Sequence, residues 1–186
     1  AWNHWLTAHL AAVGHQVLGV DTFVDPIDGL GARRWFRAPT WRSVQFDTRD
    51  LRPLGGGWDL VVVNRCVQFM PDPVDWLTQL PGLMAPGGRV LLLGLAFFNR
   101  PRAKGRQTAA LASEFRAATG HDLFLAPSRG WLRRADALAM AQRGVDLMPY
   151  PDARLLLADA RARFDATRPR HRWGWWRAGG AAQGPT

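Results

Sequence analysis

Apolar residues recur at helical spacing over residues 2–13, where Trp2, Trp5, Leu6, Leu10 and Val13 share one stripe and Gly14 stands where a helix would end. "HQVLGV" then predicts a short strand. Beyond a polar, turn-rich stretch, "SVQF" predicts a second strand. "WDLVVV" predicts a third, with the continuous apolar run of a strand buried on both faces. "PDPVDWLTQL" opens a helix, with Asp72 as N-cap, Pro73 at the first helical position and Asp75 in the first turn, where a carboxylate complements exposed N–H groups. "APGGRVLLLG" reads as a tight turn feeding another buried strand. The far half is less regular. It has helical patterns over about 107–119 and 132–143, a strand at "VDLMPY", a helix at "DARLLLADARARF", and then "RHRWGWWRA".

Strands separated by helices imply parallel pairing through right-handed crossovers. The expected fold class is therefore α/β, a doubly wound, mostly parallel sheet with helices on both faces. Either "VDLMPY" or "HRWGWW" can supply an antiparallel edge strand. A chain of 186 residues without repeat or low-complexity linker suits one domain over 1–186, divided into a regular half at 1–95 and a second half at 96–186.

Composition narrows the function classes. With 47% hydrophobic residues and no run of eighteen apolar ones, neither a disordered chain nor a transmembrane helix is expected. "AWNHWLTAHL" lacks the basic start and cleavage site of a signal peptide, and the single cysteine, Cys66, cannot form an internal disulfide. A cytoplasmic location is expected. No His or Cys pair has metal-ligand spacing, so no metal is expected.

The net charge of +9 is uneven, with 7 basic and 8 acidic side chains in residues 1–75 against 17 and 7 in residues 76–186. "RPRAKGR" is its densest run, readable as a solvated loop or as an attractor of anions. The arginine excess alone does not make a nucleic-acid reader, because no aromatic and basic reader motif accompanies it. Trp173, Trp175 and Trp176 resemble a membrane-interface segment, but strand alternation accounts for most of them, and peripheral membrane contact is not favoured. Trp35, Trp41 and Trp131 line a pocket or simply pack.

In a doubly wound sheet ligands bind at the C-terminal ends of strands. Asp21, closing the first strand, is placed to accept both hydroxyls of a ribose, or else is an ordinary loop aspartate. Asp47, in "FDTRDL" after the next strand, can accept from an exocyclic adenine amine, with Asp50 as its solvated neighbour.

Four segments carry a family resemblance: "LAAVGHQVLGVD", "VQFDTRDLRPL", "WDLVVVNRCVQFMPDP" and "LMAPGGRVLLLG". In order and spacing, over roughly residues 6–95, they resemble class I S-adenosylmethionine-dependent methyltransferases of the small-molecule group, which have a Rossmann-like fold. The resemblance implies S-adenosylmethionine as cofactor and a small-molecule acceptor. It places Asp21 and Thr22 at the ribose, Asp47 and the Thr48 backbone at the adenine, and Asn64 and Arg65 where the strand opens toward cofactor and substrate. Phe69 stands where many relatives carry histidine.

Such relatives begin with a strand and an acidic, glycine-rich loop, yet no glycine precedes Gly14. The expectation is a fragment lacking that strand and loop, with both neighbouring strands exposed. Methyl transfer by in-line displacement needs positioning and exclusion of water, and a general base is optional. His121 in "TGHDLF" is the one candidate base, while His4 and His15 are expected to be structural. Two other classes stay open: a non-catalytic methyltransferase-like binding domain, and a nucleotide-sugar or nicotinamide enzyme on a related sheet.

Overall fold

The computed structural model describes residues 3–165 and 167–177. The expectation placed on Trp2 lies outside the described residues. The chain forms two compact units, residues 1–53 and 54–186.

In the first unit, α1 (Trp5–Ala12) ends as expected, with Gly14 in the left-handed conformation at φ 95°. β1 (Leu18–Asp21) pairs in parallel with β2 (Arg42–Gln45), in a register that sets Asp21 opposite Gln45. The core of this unit closes on a polar contact. His4 is fully buried, its Nδ1 accepts from Trp41 Nε1 at 3.1 Å, and its Nε2 lies 3.2 Å from the Leu30 carbonyl. An acceptor at Nδ1 requires the proton on Nε2, so the neutral ring satisfies both partners and a protonated ring would lose Trp41. Trp41 also packs edge-on to Phe36 and under the Arg33 guanidinium, which explains its burial as packing.

In the second unit β3 (Trp58–Asn64) pairs in parallel with β4 (Met84–Phe98), and β4 pairs in parallel with the short β5 (Leu132–Arg133). β7 (Pro169–Arg177) lies antiparallel between β4 and β6 (Asp146–Pro149), giving the order β3-β4-β7-β6. Of the two expected edge candidates, "VDLMPY" therefore supplies the edge, and "HRWGWW" lies inside the sheet.

β4 is the strand on which this sheet is built. Val90, Leu92, Leu95 and Phe97 are its buried apolar side chains, so the inward period slips by one between Leu92 and Leu95. The pairing records the same slip: Leu92 faces Gly174 and Leu95 faces Arg172, leaving β4 one residue longer than β7. The extra residue is accommodated at Gly94, whose φ of 68° suits glycine. Without this bulge Leu95 and Phe97 would point to the face opposite Val90 and Leu92.

α2 (Pro73–Trp76) starts as expected, with Asp72 accepting from the Val74 and Asp75 N–H groups at 3.1 and 3.0 Å. It gives way to a 3-10 segment at Leu77–Leu83 with Pro81 inside it. α4 (Arg134–Gln142) is pinned by buried Asp136, which takes Arg129 at 3.0 Å and Arg133 at 3.3 Å. α5 (Ala153–Arg161) begins at the Asp152 cap, and its Asp159 holds Arg172 and the His171 N–H of β7.

Three expectations change. β3 is not buried on both faces: Asp59 and Leu60 are exposed near its start, where its register to β4 slips between Trp58 and Leu60. "RPRAKGR" is not a loop. It forms the first turns of α3 (Pro101–Thr119), which starts about six residues before the predicted helix because proline is tolerated at the first helical position. The helix expected at 132–143 yields its first two residues to β5. Among the described residues no helix is long and apolar enough to cross a membrane.

Two measurements test this account. Leu95→Ala should destabilise the protein by roughly 2–5 kcal/mol in urea unfolding, whereas Leu60→Ala, on the exposed face of β3, should cost about 1 kcal/mol or less. Burial first, against a smaller opposing pull from the Leu30 carbonyl, lowers the His4 pKa below 6.5. A folded-state pKa below the unfolded one means that this stability is present above about pH 6.5 and lost as pH falls through the folded value. Thermal midpoints should therefore drop on acidification from pH 7.5 to 5.5, and drop less in His4→Gln.

Candidate active site

Two clusters of the expected site residues form, one in each unit. In the first, Asp21 closes β1 and Asp47 follows β2, so the two acids stand at the same end of a parallel strand pair. The strand ends are stitched together. Phe46 N–H donates to the Asp21 carbonyl at 2.9 Å, Thr22 Oγ1 to the Phe46 carbonyl at 3.3 Å, and Gln45 Nε2 to the Thr22 carbonyl at 3.1 Å. Asp21 is half-buried, and its Oδ1 accepts from the Phe23 N–H at 3.1 Å, a local turn that orients the carboxylate. Thr48 directly follows Asp47 in the same turn.

Asp47 does not stand alone. Arg49 Nε donates to both of its oxygens at 2.8 and 3.0 Å, Arg49 Nη2 lies 2.5 Å from Oδ2, and the Arg49 N–H reaches Oδ1 at 3.0 Å. These bonds, the guanidinium first and the backbone N–H second, hold its carboxyl down to about 2. Asp47 is thus a carboxylate at every physiological pH, with part of its acceptor capacity taken. Asp50 repeats the pattern with Arg52 at 2.7 Å, so sequence alone could not tell which acid is the solvated one.

In the second unit Asn64 ends β3 and Arg65 follows, both exposed. Arg65 has a left-handed backbone at φ 55°, uncommon for a residue with a side chain. Its N–H donates to the Leu93 carbonyl at 3.0 Å, and its own carbonyl accepts from Gln68 Nε2 at 2.8 Å. A Cβ on Gly94 would collide with Arg65 Cγ, so the arginine stem lies across the glycine at the β4 bulge. Phe69 is half-exposed and leans on Phe124 with ring centroids 5.9 Å apart.

The remaining candidates lie elsewhere. His121 is exposed in the turn after α3, its N–H donated to Thr119 Oγ1 at 3.2 Å. Trp131 packs edge-on to Phe98 and is buried, while Trp35 is exposed and donates to the Pro26 carbonyl at 2.8 Å. Among the described residues no group of three His, Cys, Asp or Glu side chains could hold a metal ion. Sequence reasoning passed over Gly94 and Tyr150, whose hydroxyl accepts the Gly94 N–H at 2.7 Å. The available signal was the slipped alternation of "VLLLGLAFF" around a glycine.

Residues 3–121 match a family model described as a methyltransferase domain. The chain is also similar in fold to solved structures. An S-adenosylmethionine dependent methyltransferase from Mesorhizobium loti superposes over 95% of this chain and 87% of its own, at 15% identity and a TM-score of 0.57. The plantazolicin methyltransferase BpumL, solved with SAH, covers 95% and 72% at 9% identity and 0.56. The protein bound to the Trm112 methyltransferase activator of Haloferax volcanii covers 98% and 80% at 14% identity and 0.60. A comparison with curated proteins finds no significant match.

The clamp on Asp47 is open to direct measurement. Its carboxyl resonance should titrate near 2, and Arg49→Ala should return it toward the usual value of about 3.9.

Proposed function

Because the chain belongs to the methyltransferase domain family, we propose that it moves the methyl group of S-adenosylmethionine to a small-molecule acceptor, with 1–186 acting as one catalytic domain. The observation that carries the reading is the pair of acids, Asp21 and Asp47, at one end of two adjacent parallel strands.

The donor set fits the cofactor. Ribose hydroxyls and the exocyclic adenine amine are donors, and two carboxylates held at fixed strand ends are acceptors. Asp21, with Thr22 beside it, takes the ribose, while Asp47 takes the amine on acceptor positions that Arg49 leaves, with the Thr48 backbone at the ring edge. When bound, the cofactor supplies a methyl group on a sulfonium. Asn64 and Arg65 serve the methyl-transfer side. Their roles are to bind, orient and keep water out, because in-line displacement depends mostly on alignment. His121 remains the candidate base for an oxygen nucleophile.

A second reading, a methyltransferase-like domain that binds without catalysis, is favoured by the Arg49 clamp on Asp47.

Calorimetric titration of S-adenosylmethionine into this chain, and into one extended at its N-terminus, tests the proposal. Binding is expected at least in the extended chain, and Asp21→Ala should weaken it by roughly tenfold or more, about 1.4 kcal/mol. Folded proteins that bind no cofactor in either form would reject the enzyme reading.

A further inference from the structure

We propose that α5 and the start of α3 form a docking surface for an anionic membrane, with the outward apolar face of α5 lying in the lipid headgroup layer. The surface shares no residue with the candidate site.

Helical periodicity divides α5 into two faces. Leu155, Ala158 and Asp159 are half-buried and Ala162 is buried, and Asp159 turns to β7, where it holds Arg172 and the His171 N–H. Leu156, Leu157, Ala160 and Phe164 fall on the opposite side and are exposed, Phe164 at 92%. Phe164 belongs to this stripe because the turn beyond α5 keeps helical hydrogen bonds. Ala162 N–H donates to the Ala158 carbonyl and Asp165 N–H to the Arg161 carbonyl, both at 2.9 Å.

Cations fringe the stripe on both sides. Arg154 and Arg161 run along one edge and Arg163 along the other, all exposed. The nearby acids are engaged elsewhere: Asp152 caps α5, Asp159 pairs with Arg172 and Asp165 with Arg168. A second basic run adjoins this one. Asn99, directly after β4, donates its Nδ2 to the Ala162 carbonyl at 3.4 Å, which ties the end of α5 to the start of α3. There the exposed Arg100, Arg102 and Arg106 line an open hollow with Asn99 and Pro101. The chain carries no acid from residue 100 until Glu114.

Charge and apolar content together select the occupant. Leucine and phenylalanine on one helix face, bordered by arginine, suit a lipid interface, where apolar side chains enter the acyl boundary and guanidinium groups meet headgroup phosphates. A nucleic acid would use the arginines but leave Leu157 and Phe164 in water. A second copy seated on the same face would set one row of arginines against another. The tryptophans of β7 take no part. Trp173, Trp175 and Trp176 are half-buried in a strand that lies between β4 and β6, so the surface belongs to the helices.

Flotation of the full chain with vesicles tests this, using phosphatidylcholine alone and phosphatidylcholine with an equal part of phosphatidylglycerol. Partition onto the anionic vesicles should be at least ~10-fold stronger and should weaken with added salt. Leu157→Ser with Phe164→Ser should weaken it by roughly tenfold or more, and Arg161→Gln with Arg163→Gln by about fivefold or more. All four positions are exposed, so both double variants should keep the wild-type circular dichroism and thermal midpoint. The proposal is overturned if the folded wild type fails to float with anionic vesicles, if it partitions equally onto both kinds, or if either double variant floats like the wild type. Light scattering and binding of a single-stranded oligonucleotide are measured alongside. Without vesicle binding, a dimer lost in Phe164→Ser would assign the face to a second copy, and oligonucleotide binding lost in Arg163→Gln would assign it to nucleic acid; either result overturns the proposal.

Discussion

The second unit depends on one requirement: Val90, Leu92, Leu95 and Phe97 of β4 must all face inward although their spacing breaks the twofold period of a strand. Each fully buried side chain of this kind contributes about 1.5–3 kcal/mol, far more than a single ladder hydrogen bond. The hydrophobic demand therefore wins, and the backbone yields one extra residue at Gly94. Consequences propagate from that concession. The Gly94 N–H needs a new partner and finds Tyr150, and the space left by the missing Cβ receives Arg65. A packing constraint inside the sheet thus shapes what the end of β3 presents to solvent.

The first unit is organised by polar contacts instead. Among the described residues its sheet has two strands, too few to bury a face without help, and His4 and Trp41 set a polar contact inside its core. At the strand ends, three cross-strand hydrogen bonds hold Asp21 and Asp47 to one end. Electrostatics then distinguishes the two acids. Asp47 is locked as an anion by its neighbour Arg49, while Asp21 is oriented by a turn and keeps a half-buried position.

Most elements were legible because their signals are local. Asp72 and Asp152 satisfy N–H groups two and three residues away, and Gly14 ends α1 by its own backbone freedom. The misreadings share a cause in non-local pairing. An apolar run such as "WDLVVV" cannot reveal that its strand slips its register to β4 near Leu60 and leaves that residue exposed. The arginines of "RPRAKGR" gave no helical period, and only the course of the chain after β4 shows that Pro101 starts a helix there.

By itself the sequence determined the class of fold, the order of its strands and helices apart from the short β5, and the acids that close β1 and follow β2, because propensity, caps and apolar period act within a few residues. Tertiary structure alone decided that β7 enters the sheet between β4 and β6, and that Arg65 takes a left-handed backbone over Gly94. Those outcomes depend on which distant or facing groups arrive beside a residue, and on the burial that forces β4 to bulge. No window of neighbouring letters contains that information.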